Sequence, residues 1–132
     1  LQEELLQNCI DLWDKLGMHY EVVNICTGDM GTVAARKYDL EAWIPGANQY
    51  KEIVSCSNCT DYQANRLQIR YGQPGHASQP IAHTLNSTAV ATSRALVAIM
   101  EQNQLEDGRV RIPEVLRPYM NGQENLEPCT WG

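Results

Sequence analysis

Leu1, Leu5, Cys9, Leu12 and Leu16 recur every three to four positions until Gly17 interrupts them, the spacing of one helix face. This predicts a helix over residues 1–16 with that face laid on a sheet. Tyr20 to Cys26 is rich in valine and isoleucine and reads as a strand, followed by the turn-like Thr27-Gly-Asp-Met-Gly31. From Lys37 to Trp43 polar and apolar residues alternate. A strand there puts Lys37, Asp39 and Glu41 on one wet or functional face and Tyr38, Leu40 and Ala42 on the other. Pro45-Gly-Ala-Asn-Gln49 fits a hairpin connection into a returning strand, Tyr50 to Asn58, and Asn65 to Tyr71 reads as one more strand. Gly72 to Pro80, with two prolines and two glycines, is the best loop in the chain.

A short strand is expected around Ile81 to Leu85, after which Asn86 to Thr88 can cap a helix running to about Asn103. Ala95-Leu-Val-Ala-Ile-Met100 is apolar almost all round, which predicts a buried helix. Arg94 stands immediately before that run. A buried guanidinium without a partner costs several kcal/mol, so it must meet a carboxylate such as Glu41 or Glu52, backbone carbonyls, or an anionic ligand such as a phosphate. Spacing alone leaves these open.

The 132 residues, 43% apolar and 20% charged, suffice for one modest core and one soluble domain, an α+β domain with a mostly antiparallel sheet flanked by helices. The net charge of −6 argues against a broad nucleic-acid-binding surface on these residues. No run approaches the roughly 18 apolar residues of a membrane span and no secretory signal opens the chain, so it reads as cytosolic. Five cysteines at irregular spacing do not form a disulfide framework. Cys56-Ser-Asn-Cys59 has the gap of a zinc knuckle or redox pair, but His19, His76 and His83 form no paired motif that would complete a zinc site. Two strand-end thiols are the simpler account.

Thr27-Gly-Asp-Met-Gly31, Tyr38-Asp-Leu-Glu-Ala-Trp43, Glu52-Ile-Val-Ser-Cys-Ser-Asn58, His83-Thr-Leu-Asn86 and Ile112-Pro-Glu-Val-Leu-Arg-Pro-Tyr-Met120 resemble the seryl-tRNA synthetase family in order and spacing over nearly the whole chain. The resemblance implies a class II aminoacyl-tRNA synthetase fold, and a serine–tRNA ligase that uses ATP and Mg²⁺ to make seryl-adenylate before charging tRNA(Ser). By the same resemblance Glu52, Ile53, Val54 and Ser55 contact ATP, with Glu52 and Ser55 as Mg²⁺ ligands. One carboxylate and one hydroxyl suit a cation that prefers hard oxygens and keeps phosphate oxygens in its shell. Arg94 corresponds to the third signature motif, whose arginine holds the ATP phosphates and stabilises the departing pyrophosphate. Thr88 matches the position that contacts serine, and Asn86 lies beside it; Thr88 read without the family is a helix cap.

The match is imperfect. Asn86-Ser-Thr-Ala89 stands where many relatives have Asn-Gly-Ser-Gly, and Asn65-Arg66 where the family has paired arginines. The dimer-forming first motif, the second motif and the tRNA-binding arm have no counterpart, so residues 1–132 are expected to be the C-terminal portion of a class II catalytic domain, inactive alone. The intact parent would be a cytoplasmic or organellar-matrix homodimer. A stand-alone non-catalytic paralogue or nucleotide-binding module is the competing expectation, and a zinc or thiol redox protein using Cys56 and Cys59 is a third.

Overall fold

The computed structural model describes residues 1–73, 75 and 79–129. A four-stranded antiparallel sheet in the order β1-β2-β3-β4 is built from β1 (Tyr20–Asn24), β2 (Arg36–Ile44), β3 (Gln49–Thr60) and β4 (Thr84–Ser87). Helices α1 (Gln2–Lys15) and α3 (Thr92–Gln102) pack on one face, the short α2 (Tyr62–Leu67) follows β3, and β5 (Val110–Arg111) pairs with β6 (Asn125–Leu126). The α+β arrangement with a mainly antiparallel sheet is as expected.

The core lies between that face and the two helices. Leu40, Ala42, Ile44, Ile53 and Val54 of the sheet meet Cys9 and Trp13 of α1 and Ala95 and Ala98 of α3. The buried stripe of α1 is rotated from the expected one: Gln2, Cys9 and Trp13 are covered and Leu1 is exposed. Gln2 explains the offset, because its Nε2 donates to the carbonyls of Arg36 and Cys56, each at 3.2 Å, and so holds the helix start on two adjacent strands. Gly17, at φ +68°, closes the helix: its N–H donates to Asp14 O at 2.9 Å and the Met18 N–H to Trp13 O at 3.2 Å, the paired bonds of a Schellman end.

Three expectations are corrected. Residues 65–71 are not a strand; Tyr62–Leu67 is helical, ended by Gln68 at φ +55°, and only Arg70 makes a single bridge, to Ile81. Asn86 to Thr88 do not cap a helix, because β4 runs on through Ser87, paired with Cys56, and the Thr88 N–H still donates to Ser55 O at 3.3 Å. α3 therefore starts at Thr92. Nor is α3 buried all round, since Ala95 and Ala98 are covered while Leu96, Val97 and Met100 are exposed. The expected loop is described at Gly72, Gln73, Gly75, Gln79 and Pro80, and its remaining residues, His76 among them, lie outside the described set.

α3 is fixed at its C-terminal end by two side chains. Glu101 accepts the Gly46 N–H at 2.6 Å, and a Cβ at Gly46 would sit 2.8 Å from Glu101 Oε2, so a larger residue there would push the Glu101 carboxylate aside. Gln102 Nε2 donates to the carbonyls of His19 and Trp43 at 2.9 and 2.8 Å.

Leu40 is fully buried and its cross-strand neighbour Val22 is 43% exposed. Leu40→Ala is expected to lower unfolding stability by about 2–5 kcal/mol, and Val22→Ala by less than about 1 kcal/mol, in urea denaturation.

Candidate active site

The sheet face away from α1 and α3 is organised by one irregularity. Leu40 pairs with Val54 but Glu41 pairs with Glu52, so Ile53 is an extra residue in β3. Side chains alternate along a regular strand, so residues three apart fall on opposite faces; the bulge cancels one step and puts Glu52 and Ser55 on the same face. Lys37 opposite Ser57, Asp39 opposite Ser55 and Glu41 opposite Glu52 complete that face. The neighbouring apolar pair Ile53-Val54, both buried, is the sequence trace of the slip.

β4 is much shorter than β3 and leaves the β3 stretch before Ser55 without a neighbour on that side. Through this notch Arg94 reaches across from the helix layer. Its Nη1 donates to Glu52 O at 3.0 Å and to Glu52 Oε1 at 2.7 Å. Of the carboxylates considered for Arg94, the structure brings Glu52 to it and not Glu41. The pair borders a 510 Å³ cleft also lined by Lys51, Ile53 and Ser93.

The face is acidic. Glu21, Glu41 and Glu52 lie on one rung of three adjacent strands. Burial raises the Glu41 pKa, and the charges of Glu21, Asp39 and Glu52 push it further the same way. Lys37 counters this: its Nζ lies 3.0 Å from Asp39 Oδ2 and 3.9 Å from Glu52 Oε2. Burial by itself would lower the Lys37 pKa, but the hydrogen bond to Asp39 and the charges of Asp39, Glu52 and Asp29 outweigh it and the pKa rises. The wet face expected at Lys37, Asp39 and Glu41 is closed at Asp39, which is 3% exposed. Lys37 and Asp39 were legible only as members of a face; nothing in their spacing marks them as partners of Glu52.

Asn86 pairs with Ser57 and so shares this face, whereas Ser87 points to the other side, its hydroxyl 3.7 Å from Cys9 Sγ. Thr88 is exposed and its backbone abuts Ser55. Glu52, Ser55, Arg94, Asn86 and Thr88 thus gather around the β3–β4 junction. Ile53 and Val54 have their side chains in the core. Asn65 sits apart on α2, where its Nδ2 donates to Asp61 Oδ2, and Arg66 stacks over Tyr62.

Glu52 and Ser55 present a carboxylate and a hydroxyl on one face, hard donors that fit Mg²⁺ carrying phosphate oxygens. Among the described residues no group of three or more His, Cys, Asp or Glu side chains could hold a metal ion, so a cation here would have to bring ligands with it. Cys56 and Cys59 find no third His, Cys, Asp or Glu partner for a metal among the described residues. Both thiols are buried, and burial raises the Cys56 pKa, which disfavours the reactive thiolate.

The profile of the tRNA synthetase class II core domain (G, H, P, S and T) matches residues 2–103. The serine–tRNA ligase of Methanocella arvoryzae is 61% identical over 127 residues, covering 96% of this chain and 30% of the relative. Seryl-tRNA synthetase from Pyrococcus horikoshii, solved in complex with ATP, superposes with a TM-score of 0.91 at 53% identity, covering 98% of this chain and 29% of that one. Cytoplasmic serine–tRNA ligase from Naegleria fowleri, solved with AMP, gives a TM-score of 0.85 at 46% identity, covering 94% and 29%. The chain thus spans about 30% of the length of the curated relatives it matches. Among the described residues no helix is long and apolar enough to cross a membrane.

Two outcomes follow from the site. In native protein at pH 8 a disulfide reagent should label exposed Cys26 and Cys129 and reach Cys9, Cys56 and Cys59 only on unfolding. A carboxyl whose pKa is raised in the fold favours the folded state while protonated and loses that contribution as pH rises through the folded pKa. Glu41→Gln should therefore stabilise the fold at pH 7 by roughly 0.2–1 kcal/mol in denaturant titrations. The gain should vanish well below pH 4.5, the ordinary value, where Glu41 is neutral in both states.

Proposed function

The chain belongs to the class II tRNA synthetase core-domain family, and we propose on that footing that residues 1–132 form the C-terminal portion of the catalytic domain of a serine–tRNA ligase. The observation that carries the reading is the gathering of Glu52, Ser55, Arg94, Asn86 and Thr88 at the β3–β4 junction, in a fold whose relative in Pyrococcus horikoshii was solved with ATP. The reaction is ATP-dependent activation of serine to seryl-adenylate, followed by transfer to tRNA(Ser). In the intact enzyme we expect a homodimer in the cytoplasm or an organellar matrix, with the remaining ATP, serine and tRNA contacts supplied from outside these residues.

Arg94 is the residue for the ATP phosphates. Its side chain is 55% exposed, so solvent screens the pair with Glu52 and an arriving anion can compete for the guanidinium, which then follows the charge that grows on the departing pyrophosphate. Glu52 and Ser55 would hold Mg²⁺, which when bound would neutralise phosphate charge. The backbone at Ile53 and Val54 flanks the nucleotide. The Thr88 hydroxyl and the Asn86 amide read serine, a small substrate best selected by directed hydrogen bonds. Positioning and electrostatics suffice for the chemistry, so no general base is assigned.

The test is serine-dependent ATP–pyrophosphate exchange by a chimera in which this segment replaces the matching one of the Methanocella arvoryzae ligase. The chimera should be active and the 132 residues alone inactive; exchange by the short chain would overturn the partial-domain reading. A folded, ATP-binding but inactive chimera would favour the non-catalytic module. Arg94→Ala in the active chimera should lower exchange by about 100–1,000-fold with the fold retained.

A further inference from the structure

The reading above leaves an electrostatic difficulty at Glu52. Arg94 neutralises Glu52 as the structure stands, with its Nη1 on Oε1 at 2.7 Å. If Arg94 turns to the phosphates, Glu52 loses that partner while Glu41 remains directly opposite it and Glu21 opposite Glu41. Like charges directly across a strand pair repel, so an unheld Glu52 would rotate away from its neighbours and from the cation it is to bind.

A second cation is already in place and differs from Arg94 in how it is held. The Lys37 side chain starts on the rung of Ser57, passes the rung of Asp39 and Ser55, and brings its ammonium to 3.9 Å from Glu52 Oε2, the oxygen that Arg94 does not take. On the way it pairs with Asp39 Oδ2 at 3.0 Å. Asp39 is 3% exposed and its Oδ1 has no hydrogen-bond partner in the described structure, so the whole burden of compensating a buried carboxylate falls on Lys37. Moving Lys37 would strand Asp39. The Lys37 side chain is 17% exposed against 55% for Arg94, so Lys37 is enclosed where Arg94 is open to solvent and to a competing anion.

We propose that Lys37, anchored on the buried carboxylate of Asp39, is the positioning residue that keeps Glu52 aimed at the nucleotide-bound cation when Arg94 moves to the phosphates. The inference rests on the assignment of Glu52 and Ser55 to that cation. Lys37 touches neither substrate nor metal in this role; it fixes the orientation of a ligand, and Asp39 fixes Lys37.

Mn²⁺·ATP binding, followed by water-proton relaxation enhancement in the full-length chimera, reads this step without catalysis. Lys37→Met should raise the Mn²⁺ concentration for half-saturation by about 10-fold or more, within the range typical of outer-shell losses. The KM for serine should stay within about twofold, because the lesion is confined to one side of the site. Lys37→Arg, which keeps a cation of similar reach, should recover most of the affinity. Asp39→Asn, nearly unchanged in shape, should weaken Mn²⁺·ATP in the same direction by releasing Lys37, and it tests the same link if Lys37→Met fails to fold. Unchanged half-saturation in folded Lys37→Met or Asp39→Asn, beside a clear loss in Glu52→Gln, would overturn the proposal and leave the metal assignment standing. Unchanged half-saturation in Glu52→Gln would remove the metal assignment, and the role of Lys37 with it.

Discussion

The extra residue in β3 is the constraint on which the site depends. With strict alternation, Glu52 would share a side with Val54 and Cys56, inside the core, and Ser55 would have no β3 carboxylate beside it on the open face. The bulge at Ile53 absorbs one residue, sends Ile53 and Val54 both inward and returns Glu52 to the side of Ser55 and Ser57. The slip serves packing and chemistry at once. It fills the space over α1 and α3 with two apolar side chains, and it sets a carboxylate and a hydroxyl side by side.

The charges on that face are arranged against the stability of the sheet. A rung of three glutamates is a poor choice for a strand pair, and a buried aspartate with one unpartnered oxygen is no better. Local rules broken together at one place mark functional sites, where electrostatic preorganisation is retained at the expense of the fold. Lys37 and Arg94 make the arrangement tolerable from opposite directions, one along the sheet face and one through the notch left by short β4.

Much of the fold could be read along the chain because its signals are local. The span of α1, the glycine that ends it, the alternation of β2 and the Pro45–Gln49 connection appear where expected. The misreadings have separate causes. Leu67, Ile69 and Tyr71 alternate like a strand, yet α2 takes in Leu67, and Leu67, Ile69 and Tyr71 are all exposed. Asn86, Ser87 and Thr88 have the composition of a cap, but β3 offers them a ladder, which satisfies the same backbone groups. The apolar girth of α3 foretold burial, while only the side bearing Ala95 and Ala98 meets the core. The site residues were legible through their motif, and their convergence was not, because the bulge and the notch are properties of paired strands.

The anchorage of α3 bears on how quickly the site can respond. Glu101 on the Gly46 N–H and Gln102 on two carbonyls clamp the far end of the helix to the β2–β3 hairpin and to the start of β1. Those bonds oppose a sliding of the helix along the sheet when Arg94 leaves Glu52. The guanidinium must travel alone, by rotation about its own side-chain bonds, a change that exposed side chains make in picoseconds to nanoseconds where rigid-body shifts take microseconds or longer. In the role proposed for it, the exchange of partners at the arginine would be a side-chain event, faster than any motion of whole elements.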